Sequence, residues 1–151
     1  MFREFQNISI RRKYLNKNYR NILTDIINNN HEHWKWRYKV AEYFSKETDL
    51  KKYGLKAIYL IGSTKNACAG PASDIDLLVH CDTDCFKKSK FLAWVKKWSY
   101  TISYIYKENG DFYINDGLID LHIITDEDIK NKTSFAVMIG AITDPARLLK
   151  S

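Results

Sequence analysis

Ala57-Ile58-Tyr59-Leu60-Ile61-Gly62-Ser63, followed after ten residues (Thr64 to Ser73) by Asp74-Ile75-Asp76-Leu77-Leu78-Val79-His80, sets the architecture of this chain. The first run is apolar and rich in β-prone residues, and predicts a buried strand that ends in a Gly-Ser turn. The second run predicts another strand. Residues two apart on a strand face the same side, so Asp74 and Asp76 are expected to project together, with Ile75 and Leu77 turned away. Two carboxylates held this close repel unless something neutralises them, and a divalent cation is the usual answer. A turn with a small hydroxyl and free backbone N–H groups just before them suits phosphate. Metal plus triphosphate is the chemistry this pattern points to.

A third acid fits the same scheme. Leu118-Ile119-Asp120-Leu121-His122-Ile123-Ile124 is an apolar strand interrupted by one aspartate, which is costly to bury without a partner. If this strand lies beside the second, Asp120 completes a three-carboxylate cluster able to hold two Mg²⁺ ions roughly 3.5–4 Å apart. Asp116 and Asp111 are the alternatives for the third position, but both fall in expected turns. His122 alternates with Asp120 onto one face and is read as a partly buried, satisfied histidine, with contact to the site as the alternative.

Gly62-Ser63, the spacer, Asp74-x-Asp76 and the later Asp120 resemble the DNA polymerase β-like nucleotidyltransferase superfamily. The spacing is most similar to its minimal branch, which includes antitoxin proteins, and to antibiotic nucleotidyltransferases. The resemblance covers about residues 55–125. It implies an α+β fold, a mixed sheet backed by helices in the manner of a polymerase β palm. It implies transfer of a nucleoside monophosphate from a nucleoside triphosphate to an acceptor hydroxyl, with release of pyrophosphate. Asp74, Asp76 and Asp120 would then be the metal ligands and catalytic acids. Gly62, Ser63, Lys65 and Ser73 would bind the nucleotide. Two Mg²⁺ ions and ATP are the expected cofactor and donor. The acceptor is open among a partner protein, an antibiotic or other small molecule, and an RNA end. A catalytically silent, antitoxin-like binding module is the reading from a different class. The chain carries Thr64-Lys65-Asn66 where many superfamily members have an Arg-Gly pair.

With 151 residues and 45% hydrophobic content, the chain is read as a single domain with a real core. Residues 1–54 form a helical N-terminal segment and 55–125 the catalytic core in this reading. The net charge of +6 suits an anionic substrate. No apolar run approaches the roughly 18 residues of a membrane span, and no signal-peptide pattern opens the chain. Three cysteines, Cys68, Cys81 and Cys85, have no framework spacing, which fits free thiols and a cytoplasmic location. A zinc site from His80, Cys81 and Cys85 is the alternative for that cluster.

Along the chain, helices are expected at about 14–27 and 31–46, separated by Asn28-Asn29-Asn30, which offers an N-cap. Trp34, Tyr38, Ala41 and Phe44 or Ser45 mark the apolar stripe of the second, widened by Trp36, Val40 and Tyr43. A short helix is expected at 64–68 and an amphipathic one at 85–99, with a wet side of Lys87, Lys88, Lys90, Lys96 and Lys97. Thr101 to Tyr106 reads as a β-rich run. Residues 112–114 and 118–124 read as a hairpin about Asn115-Asp116-Gly117. Thr125 and Asp128 form a capping box that opens a last helix, and the chain closes with an Asp144-Pro145 turn and a short tail. Trp34, Trp36, Trp94 and Trp98 are read as helix packing rather than a base-stacking set. His31 and His33 are too few for a metal site.

Overall fold

The two apolar runs flanking the Gly-Ser turn become the inner strands of a four-stranded mixed sheet. The computed structural model describes residues 13–108, 118–141 and 143–151. Strand β1 (Leu55–Ile61) pairs antiparallel with β2 (Ile75–Cys81), and β2 pairs parallel with β3 (Ile119–Ile124). A fourth strand, β4 (Arg147–Lys150), adds antiparallel to β1, giving the order β3-β2-β1-β4. The inner strands read as nearly continuous apolar runs because both faces of the sheet are covered.

The larger core lies on the face carrying Leu60, Ile75, Leu77 and Val79. Helices α1 (Lys17–Asn28), α2 (His33–Glu47) and α5 (Lys88–Glu108) cover it, contributing Leu23, Val40, Phe44, Phe91, Trp98 and Ile102. Between them, α3 (Leu50–Tyr53) ends at Gly54 in a left-handed conformation (φ 70), where a Cβ would collide with the Cys85 carbonyl. The opposite face carries a smaller cluster of Ile61, Leu78, Ile124 and Ala136. It is covered by α6 (Asp126–Asn131) and a 3₁₀ turn (Ser134–Met138). Thr125 and Asp128 form the expected capping box at the start of α6. The mixed α+β sheet is the architecture that the strand pattern and the resemblance implied. No helix among the described residues is long and apolar enough to cross a membrane.

Several local expectations are corrected. The helix expected at 85–99 and the β-rich run at 101–106 are one 21-residue helix, α5. Trp98, Thr101, Ile102, Ile105 and Tyr106 fall on one helical face and are buried together, so packing overrides the β-propensity of the run. Thr101 is tolerated because its hydroxyl donates to the Lys97 carbonyl (2.6 Å) and accepts the Leu15 N–H (3.0 Å). The expected tail is β4, too short and unpatterned to read as a strand. Glu32, not an asparagine, precedes α2, and its side chain makes no capping bond. The buried face of α2 is Trp36, Arg37, Val40, Ala41, Phe44 and Ser45, which leaves Trp34 and Tyr38 at its margin. The short helix after the turn, α4, spans Gly62–Lys65, two residues earlier than expected. The first limb and the turn of the expected hairpin, with Asp111 and Asp116, lie outside the described residues, as do residues 1–12.

Candidate active site

The site is assembled where β1 and β2 open toward their connecting loop. Gly62 takes the chain from β1 into α4 with φ at +77, which an L-residue adopts only with strain. The position has a second demand for glycine. A Cβ there would lie 2.5 Å from Asp76 Oδ2, because Ile61 is the register partner of Asp76. The missing side chain leaves the room that the Asp76 carboxylate occupies.

The loop that carries Asp74 is held from below by a residue that no local pattern marks out. Arg37, in α2, is completely buried. Its Nε donates to the Ser73 carbonyl, one terminal nitrogen to Pro71 O and the other to His33 O, each at 3.0 Å. Tyr106 of α5 donates its hydroxyl to the same Pro71 carbonyl at 3.1 Å. The guanidinium lies 4.2 Å from the Trp36 ring centroid. Ser73 adds its own clasp, its Oγ accepting the Gly70 N–H at 2.9 Å. Arginine in an amphipathic helix ordinarily reads as solvated, and only the returning loop gives this one its acceptors. Arg37→Met should lower stability by roughly 2–3 kcal/mol, since it strands buried carbonyls. An unchanged urea midpoint would show that the clamp is dispensable.

Asp76 and Asp120 are directly opposite in the parallel β2–β3 register, and His122 follows Asp120 by two residues on the same face. One ligand atom from each of Asp76, Asp120 and His122 lies within 4.8 Å of the others, the one such cluster among the described residues. His122 Nε2 stands 3.7 Å from Asp76 Oδ1 and 3.5 Å from Asp120 Oδ2. Burial pushes the Asp76 carboxyl above the ordinary aspartate range, the Asp120 charge adds to the rise, and His122 opposes it. Asp74 is also raised, by partial desolvation and then by Asp120, with Arg37 opposing. Asp74 lies one residue before β2, so strand alternation does not dictate its direction, and it stands outside the tight cluster. The 3₁₀ turn brings Phe135 against the His122 ring, with centroids 4.1 Å apart.

The remaining expected residues are distributed as follows. Gly62 and Ser63 open α4 beside Asp76, and Ser63 accepts the Cys68 N–H at 2.9 Å through its carbonyl. Lys65 forms an ion pair with Asp144 at 2.7 Å, and Asn66 donates to the same carboxylate at 3.0 Å. Asp144 is held below the usual carboxylate range by those two partners. His80 is engaged by Asp126 Oδ1 at 2.6 Å, while Cys81 is buried and Cys85 exposed, both free thiols. Trp36 and Trp98 are core residues, and Trp94 donates to Thr48 Oγ1 at 2.9 Å.

Residues 41–132 match the family model of the nucleotidyltransferase domain. The chain belongs to this family. The match takes in more than half of the chain, including β1, the Gly62-Ser63 turn, β2, α5 and β3, and therefore every strand that contributes to the acidic cluster. The nucleotidyltransferase accordingly transfers nucleoside monophosphates, with a nucleoside triphosphate as its substrate class. No curated protein and no solved structure is significantly similar to the chain. The donor set of this nucleotidyltransferase fits a divalent cation. Two carboxylates and an imidazole converge at a point where Gly62 leaves space.

Proposed function

We propose that the protein moves AMP from ATP to an acceptor hydroxyl, and that 1–151 acts as one nucleotidyltransferase domain. The observation that carries the reading is the convergence of Asp76 and Asp120 beside Gly62, inside the segment that matches the family. The packing of Leu23, Ile27 and Val40 into the core of the sheet supports treating the N-terminal helices as part of that domain. Asp74, Asp76 and Asp120 would hold two divalent ions, Mg²⁺ by default. Bound ions there supply the positive charge that offsets the triphosphate and the departing pyrophosphate.

The chain's own groups do the rest. The Ser63 hydroxyl and the backbone at Gly62-Ser63 donate to the β- and γ-phosphate oxygens, and Lys65 exchanges Asp144 for phosphate. Asp120, half exposed at 54%, takes the proton of the acceptor hydroxyl as its oxygen bonds to the α-phosphorus and the bond to pyrophosphate breaks. Arg37, Tyr106 and the Ser73 clasp keep the Asp74 loop in place. A hydroxyl on a partner protein is the favoured acceptor, ahead of a small molecule or an RNA end, and the free cysteines accord with a cytoplasmic setting.

The test uses ATP, GTP, CTP and UTP, each labelled at the α-phosphate, with divalent cation, protein and host lysate. Label should move from ATP to a protein band with the wild type and not with an Asp74/Asp76 double variant. Label on RNA or on a small molecule would replace the acceptor. Absence of both transfer and nucleotide binding would favour the silent binding module.

A further inference from the structure

We infer that His122 is a ligand of the ion shared by Asp76 and Asp120, and that this nitrogen shifts that one of the two positions from the default Mg²⁺ toward Mn²⁺. The inference deepens the proposed function and rests on its metal reading. The family pattern calls for acids at this site, and nothing in it calls for an imidazole.

The first argument is placement. The parallel register sets Asp76 opposite Asp120, and the strand period then returns His122 to the same face. Ile119, Leu121 and Ile123 pack against the large core on the other face, so a register slip that would move His122 away would also bury the two polar residues.

The second argument is what His122 does not do. Its Nε2 stands between two carboxylates at 3.5 and 3.7 Å, long contacts shared between both acids rather than one short hydrogen bond to either. A histidine whose purpose is to pair with a carboxylate closes on one oxygen, and His80 shows this in the same sheet, 2.6 Å from Asp126. Near-equal spacing from two carboxylates is instead the arrangement of ligands about a common centre. Ligand atoms bound to one ion at about 2.0–2.2 Å lie roughly 3–3.6 Å apart. The two separations from His122 need close by only a few tenths of an ångström, and all three ligand atoms already lie within 4.8 Å of one another.

The third argument is preorganisation. The ring is 22% exposed and packs against Phe135. It therefore gives up little rotational freedom on binding, and Nε2 remains aimed at the carboxylates. Mg²⁺ favours all-oxygen, near-octahedral coordination and sheds water reluctantly. Imidazole nitrogen suits the transition ions, and neutral histidine is their commonest protein ligand. A two-carboxylate, one-imidazole set therefore shifts preference toward Mn²⁺.

Pulsed electron paramagnetic resonance of Mn²⁺ decides the point. The full-length protein is loaded with Mn²⁺ and inorganic tripolyphosphate, which contains no nitrogen of its own. The electron spin echo should carry the modulation of a directly coordinated imidazole nitrogen, and the frequencies should change when the chain is labelled with ¹⁵N-histidine. His122→Asn should abolish the modulation and His80→Asn should keep it. In competition titrations, the ratio of Mn²⁺ to Mg²⁺ affinity should fall roughly tenfold or more in His122→Asn. The ¹⁵N-histidine wild type gives the answer even if His122→Asn does not fold. Mn²⁺ that binds, is lost in Asp76→Asn and shows no nitrogen coupling would overturn the role of His122 while leaving the nucleotidyltransferase reading intact. Failure of the wild type to bind Mn²⁺ at all would overturn both the role of His122 and the metal reading of the site.

Discussion

Asp76→Asn should reduce nucleotidyl transfer by roughly a thousandfold or more and leave the metal-free fold as stable as the wild type, or more so. The first effect follows from position. Asp76 faces Asp120 in register, sits 3.7 Å from His122 and is the carboxylate for which Gly62 makes room. In the metal-dependent mechanism proposed above, removing its charge takes away several kcal/mol of stabilisation of the reacting phosphates, and each 1.36 kcal/mol is tenfold in rate. The second effect follows from electrostatics. Burial first, and Asp120 second, raise the Asp76 carboxyl above its value in an unfolded chain. The folded protein therefore binds that proton more tightly than the unfolded chain does. This carboxyl weakens the metal-free fold progressively as pH rises from about 4 through its raised folded-state value. Asp126, Asp128 and Asp144 are shifted the other way and favour folding at higher pH. The difference between wild type and Asp76→Asn removes those three and reports on Asp76 with the Asp120 and His122 it is coupled to. Thermal melts across that range should show the wild type losing ground to the variant as pH rises, and a divalent cation should restore it only in the wild type. Full transfer activity in the variant would sink the mechanism.

Gly62→Ala should cost about a hundredfold in transfer. The backbone there is left-handed, so any side chain brings roughly 1–2 kcal/mol of strain. The new methyl carbon would also lie 2.5 Å from Asp76 Oδ2 and 3.3 Å from Asp76 Cβ and Cγ. The Asp76 carboxylate must swing about its own side-chain torsions to clear the methyl, and its Cβ, fixed to an inner strand whose other face is packed into the core, must give by a few tenths of an ångström. Displacing a catalytic group by about an ångström is worth roughly a hundredfold. Gly70 is the control, because a Cβ there meets nothing within 4 Å. Gly70→Ala should keep both activity and melting temperature. Equal behaviour of the two variants in the labelled-nucleotide assay and in melting would show that Gly62 makes no room for Asp76.

Much of the site could be read from local chemistry. The Gly-Ser turn, the strand carrying Asp76, the strand carrying Asp120 and the Thr125–Asp128 cap each depend on residues within a few positions of one another, and the family match bears out the nucleotidyltransferase reading. Where reading failed, a distant partner decided. Thr101–Tyr106 has strand propensity, yet burial of Ile102, Ile105 and Tyr106 on one face makes it helix. Arg-Leu-Leu-Lys at 147–150 has no strand pattern of its own and becomes β4 because β1 presents a free edge.

The sequence by itself determined the kind of chemistry: a hydroxyl-bearing turn, two acids two residues apart after it, and a third acid in an apolar run. Only the tertiary structure decided which of those acids meet. Asp74 stays in the loop while Asp76 and Asp120 converge, and His122 joins them because β2 and β3 run parallel and in register. It also turned Arg37 inward to hold the loop. The physical reason is range. Turn geometry and strand alternation are set by neighbouring residues, whereas a carboxylate's partners and an arginine's acceptors come from segments 34 to 44 residues away.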